Sequence, residues 1–180
     1  AVTRTRVITV VLREARMNPE HIGYDSSSDR KLFLLEVSST GEIPKRLLVT
    51  SPHFAVLVLA DGAALSNKQI GHLASTLIDS GAVYLSTWGV DCERMHDLFD
   101  EVLIGDGTGD QEAIITTWHD EPLDDALFSF LRTTSQAEEY SGSCRSSIVV
   151  IVGMPNVRAS VRRVLQDPSA FIERYYDGEE

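Results

Sequence analysis

The sequence predicts a single α/β domain, a three-layer Rossmann-like or flavodoxin-like unit on a mostly parallel sheet. Three observations predict it. Between residues 55 and 166, short apolar runs alternate four times with segments whose apolar residues recur every three or four positions. That order implies parallel strands joined by right-handed crossovers. Two of the runs, residues 55–60 (AVLVLA) and 147–152 (SIVVIV), have almost no polar positions, as expected of strands buried on both faces. The chain has 180 residues, 43% hydrophobic and 24% charged, which suits one domain over 1–180 and excludes a disordered chain.

Each element has its own signal. Residues 7–12 (VITVVL) and 31–37 (KLFLLEV) read as strands, and the polar stretch 13–30, with its Ser26-Ser27-Ser28 tract, reads as a long loop. Residues 46–49 suggest a short further strand, so residues 1–54 supply edge strands and a loop. Ser66 with Gln69 forms a capping-box pattern, and Ile70, Leu73, Ala74 and Leu77 then share one helical face. Strands are expected at 83–87 and 113–118, each followed by a helix, with Asp91 as a cap for the first and Pro122 near the start of the second. The glycine-rich stretch 105–110 reads as a solvated loop. Asn156 is a candidate cap for the last long helix, which Asp167-Pro168 ends. A short helix and an acidic tail complete 167–180.

Charge narrows the partners. Lys and Arg total 16 against 27 Asp and Glu, a net charge of −11. Nucleic acid is therefore an unlikely partner, because phosphate contacts rest on positive charge. No apolar run reaches the ~18 residues of a membrane span, and 7–12 is short for a signal-peptide core, so a cytoplasmic location is expected. Cys92 and Cys144 are the sole cysteines, too few for a disulfide framework and without zinc spacing.

Two motifs stand out: Trp88-Gly89-Val90-Asp91-Cys92, and Thr116-Thr117-Trp118-His119 followed by Glu121-Pro122-Leu123. In this order they resemble a family of small uncharacterised bacterial proteins that carry a Trp-Gly-x-Asp-Cys motif before a Thr-Thr-Trp-His motif. Met95-His96-Asp97 stand where members of that family often carry Trp-Asp-Asp. The resemblance implies relatives without implying a reaction.

Ligands of open parallel sheets bind beyond the carboxyl ends of the strands. Here those ends carry Asp61, Trp88, Gly89, Cys92, Trp118 and Gly153 as candidate ligand-binding residues, with His119, Asp91 and Asp120 as candidate catalytic residues. An imidazole titrates near pH ~6.5 and so suits proton transfer, oriented by Asp91 or Asp120. Each residue has a structural alternative. Asp61 and Asp91 suit caps, the tryptophans suit core, and Cys92 suits a packed thiol as well as one activated at a helix start. Asp61, Asp91, His119 and Asp120 together would suit Mg²⁺ or Mn²⁺, but no metal is assigned and the cofactor is open. His72 and His96 read as residues of solvated helix faces. No GxGxxG or P-loop pattern occurs, and the acids at the helix starts disfavour a free phosphate there. Arg158, Arg162 and Arg163 suit ion pairs with the acidic body or contact with a small anion.

The expected function is therefore binding of a small molecule or a protein partner. A small hydrolase or transferase built on His119, with or without Mg²⁺, is the alternative. An acidic inhibitor or immunity-like protein for a basic partner is a third reading, carried by charge alone. Oligomeric state is open.

Overall fold

The alternation of side chains along each strand determines the layers. The computed structural model describes residues 18–105 and 113–178. Six strands form one sheet in the order β1-β2-β6-β3-β4-β5, namely β1 (Glu20–Asp25), β2 (Arg30–Val37), β3 (His53–Ala60), β4 (Ala82–Trp88), β5 (Ile115–His119) and β6 (Cys144–Val152). The β1–β2 pair is antiparallel and the other pairs are parallel. In β3, Phe54, Val56, Val58 and Ala60 point into one core, and Ala55, Leu57 and Leu59 into the other. The continuous apolar runs thus mark strands covered on both faces.

Helices α1 (Asn67–Asp79) and α2 (Cys92–Ile104) cover the first face. Helices α3 (Leu123–Arg132), α4 (Arg158–Gln166) and α5 (Pro168–Asp177) cover the second. The assignment follows from handedness. The chain moves from β3 to β4 to β5 through α1 and α2, then returns past β4 and β3 to β6 through α3. Right-handed crossovers in opposite directions must lie on opposite faces. The capping box at Ser66 is formed as the sequence predicts, with Gln69 N–H donating to Ser66 Oγ and Ser66 N–H to Gln69 Oε1.

Several expectations change. Part of the polar stretch 13–30 is strand β1, and its serine tract is the hairpin turn into β2. Asp25, which is buried, organises that turn. Its carboxylate accepts from Ser27 N–H at 3.1 Å, Ser27 Oγ at 2.8 Å and Ser28 Oγ at 2.7 Å, and meets Arg132 of α3 at 3.3 Å. Residues 46–49 form no strand. Leu47 is buried on the first face, and its N–H donates to Ser80 Oγ at the end of α1. Asn156 lies inside a 3-10 turn (Pro155–Val157) instead of capping α4, because Pro155 starts that turn one residue earlier. Asp167 ends α4 and accepts from Ala170 N–H at 3.0 Å to cap α5. The strand expected at 7–12, the loop positions 106–110 and residues 179–180 lie outside the described residues.

Candidate functional site

The five parallel strands deliver the predicted residues to one rim, where they separate into three groups. Between β3 and β4, Gly62 N–H donates to Val90 O at 2.8 Å, joining the two loops. A side chain on Gly62 would meet the carbonyls of Val90 and Asp91 at 2.8 Å. Gly89 has φ +122 and lies so close to β3 that an added Cβ would stand 2.1 Å from Ala60 O. Both positions need glycine for close backbone approach. Arg94 clamps the group: Nε donates to Asp91 Oδ2 at 2.5 Å, Nη1 to Asn67 Oδ1 at 2.6 Å, and Nη2 to the carbonyls of Gly62 and Leu65. Asp91 occupies the cap position with φ +58 but makes no capping bond, because its carboxylate is turned to Arg94. Asp61 accepts from Ala63 N–H at 3.1 Å. Within the Trp-Gly-x-Asp-Cys motif, Gly89 and Asp91 thus make contacts that hold the two loops together.

Between β4 and β5 sits the histidine. His119 Nδ1 meets Glu121 Oε1 at 2.6 Å, and its side chain is 14% exposed. Glu121 takes the orienting place expected of Asp91 or Asp120; Asp91 is held by Arg94, and Asp120 is exposed. The backbone of Glu121 is fixed by Trp88, whose Nε1 donates to its carbonyl at 2.8 Å. Cys92 is buried, and its Sγ donates to His119 O at 3.1 Å. Burial pushes the Cys92 thiol up, with the Asp120 charge adding to it, which outweighs the helix start. It is a packed thiol. The two tryptophans are not equivalent. Trp88 pairs with His119 and Trp118 with Thr87. That offset of one residue puts Trp88 on the second face, against the α3 side, and Trp118 on the α2 face. Trp118 is 38% exposed. His96 is also more than a solvated residue: its Nε2 lies 3.2 Å from Thr116 Oγ1 of β5.

The third group lies between β2 and β6. Gly153, with φ +67, donates its N–H to Val37 O at 2.9 Å. Ser38 N–H donates to Glu42 Oε2 at 2.8 Å, and Arg158 Nε meets Glu36 Oε2 at 2.8 Å. These residues, with Met154 and Pro155, line a cleft of about 400 Å³. It adjoins the point where the chain changes face. Ala60 of β3 and Val152 of β6 are register partners, but the chain leaves β3 toward α1 on one face and β6 toward α4 on the other. A crevice opens at such a switch in open α/β sheets.

Asp61, Asp91, His119 and Asp120 do not converge on one point, and among the described residues no three His, Cys, Asp or Glu side chains are placed to hold a metal ion. No helix among them is long and apolar enough to cross a membrane. A domain-of-unknown-function family model matches residues 32–168. The chain belongs to the DUF7684 family. No curated protein and no solved structure matches it significantly. The DUF7684 match runs from β2 to the first residue of α5, so it contains all three rim groups. Sequence reasoning missed Glu121 as the partner of His119, Arg94 as the clamp and Ser38 in the cleft wall, whereas Arg158 was read as suited to an ion pair with the acidic body, which it makes with Glu36. Glu121 had a signal, since it stands two residues past His119 at the opening of α3. Arg94 had one in its spacing of three from Asp91. Ser38 had none, because only the insertion of β6 beside β2 brings it to Gly153.

Proposed function

We propose that this DUF7684 domain binds a small molecule or a protein partner at the carboxyl rim of its sheet. The observation that carries the reading is the cleft of about 400 Å³ between β2 and β6, beside the change of face between β6 and β3. Its volume falls in the range of small-ligand sites, ~300–1,000 Å³. Its lining offers the hydroxyl of Ser38, the backbone at Gly153 and the Arg158 guanidinium with its Glu36 partner. The Rossmann-like or flavodoxin-like description rests on the layering and on this switch; with its last strand placed inside, the strand order differs from those of both folds. A cytoplasmic setting suits two free, buried cysteines. Thermal unfolding with a panel of nucleotides, amino acids, sugars and divalent ions, followed by amide-shift mapping, tests the site. A hit should raise Tm and move the Ser38, Gly153 and Met154 amides. A hit that moves only other regions, or no hit across the panel, counts against it.

The His119–Glu121 pair favours a second reading, acid–base chemistry of a hydrolase or transferase. A carboxylate on Nδ1 fixes the ring and leaves Nε2 as the working nitrogen. Any hydrolytic activity found should fall at least about tenfold in His119→Ala, and should fall in Glu121→Gln, which keeps the ring and removes its carboxylate. Activity unchanged in both variants would remove the basis of this reading.

A further inference from the structure

The three arginines of α4 do not share one fate. Arg158 pairs with Glu36 at 2.8 Å, and Arg162 pairs with Glu20 at 2.5 Å. The Arg163 side chain has no ion pair or hydrogen bond among the described residues, and neither has the Arg174 side chain of α5. Both line the same cleft of about 540 Å³, bounded by α3, α4 and α5 and sharing no lining residue with the rim cleft. In a chain of net charge −11, two guanidinium groups without a side-chain partner offset the two carboxylates of the lining, Asp124 and Asp167, so this cleft is balanced in charge where the chain as a whole is acidic. Neither lining carboxylate forms an ion pair with these arginines. Asp167 is committed to the α5 cap through Ala170 N–H, and Asp124 sits in the first turn of α3, where the helix's positive end stabilises it.

The cavity also has an aromatic wall that is held in place. Tyr175 stacks on Phe128 with centroids 4.0 Å apart and planes at 14°. Its hydroxyl donates to Asp125 Oδ1 at 2.6 Å. Tyr176 meets Phe128 edge-on, with centroids 5.4 Å apart. Buried Phe171 provides an apolar floor. A planar ring entering here loses water against a wall that needs no reordering, and a planar anion meets guanidinium donors that suit bidentate contact.

We infer that this cleft binds a small aromatic anion, a ring bearing a carboxylate or a phosphate, between Arg163 and Arg174. The site is separate from the proposed rim site, and its α5 half lies beyond the family match, which ends at residue 168. The test uses the full chain and three probes in amide-shift titrations: benzoate, phenyl phosphate and neutral benzyl alcohol. One or both anions should shift Ala170, Phe171 and Arg174 amides saturably, more weakly as salt rises, and benzyl alcohol should bind at least about tenfold more weakly. Saturation by benzoate alone selects carboxylates, and by phenyl phosphate alone selects phosphates. Arg163→Gln and Arg174→Gln alter exposed side chains, so both variants should fold, and each should weaken anion binding about tenfold. The inference is overturned by no saturable shift with either anion, by equal binding of benzyl alcohol, by unchanged affinity in both variants, or by shifts centred on Ser38 and Gly153.

Discussion

Gly89→Ala is expected to destabilise the domain by roughly 3 kcal/mol or more, lowering Tm by about 6–12 °C. Two costs add. An alanine at φ +122 is strained in any surroundings. Its Cβ would also stand 2.1 Å from Ala60 O and 3.1 Å from the Ala60 carbonyl carbon, which are backbone atoms of a central strand. The β4–α2 loop must lift, and the Arg94 clamp to Gly62 and Leu65 must lengthen with it. Gly142→Ala is the matched control, since nothing lies within 4 Å of its added Cβ and its φ is not positive. It should stay within about 1 kcal/mol of the parent chain. Calorimetry of both variants decides the matter; equal Tm values would mean that the loop is not held against β3.

Asp25→Asn is expected to cost about 3 kcal/mol at neutral pH, because it removes one partner of a buried charge pair. Burial alone would raise the Asp25 carboxyl, but the hydrogen bonds of Ser28 and Ser27 and the Arg132 charge outweigh it, so its pKa lies below the usual aspartate value. A carboxyl depressed in the folded state adds stability that is fully present above its unfolded pKa of about 3.9. That stability is lost as pH falls through the folded value. The gap between the parent chain and Asp25→Asn in urea unfolding should therefore be widest near pH 7 and narrow steadily below about pH 4. A gap independent of pH would mean that the Asp25 charge contributes nothing.

Most of the architecture was legible because burial on both faces leaves a strong mark on composition. The runs at β3 and β6 and the faces of α1 and α3 could be read from apolar spacing alone. Strand β1 was not, because an edge hairpin rich in serine and aspartate has the local chemistry of a loop. Its order comes from Asp25 meeting Arg132, 107 residues away. The rim was legible as a list and not as a geometry. Sequence order places Asp91, His119 and Asp120 near strand ends, but strand order and side-chain parity decide which of them meet. The one-residue offset between Trp88 and Trp118 is invisible until β4 and β5 are paired. Rim acidity was read as ligand chemistry or capping, whereas at Asp91 a single arginine absorbs it.

The position of β6 has a consequence for synthesis. β2 and β3 both finish more than eighty residues before β6 begins, yet each has β6 as its neighbour in the sheet. A chain emerging from the ribosome must therefore hold two apolar strands apart, with facing edges open, until β6 has been made through residue 152. Contacts of such long sequence separation slow folding and expose strand edges to other chains. Truncation before β6 removes the strand that joins β2 to β3 and its residues from both cores, so neither core is complete until β6 has been made.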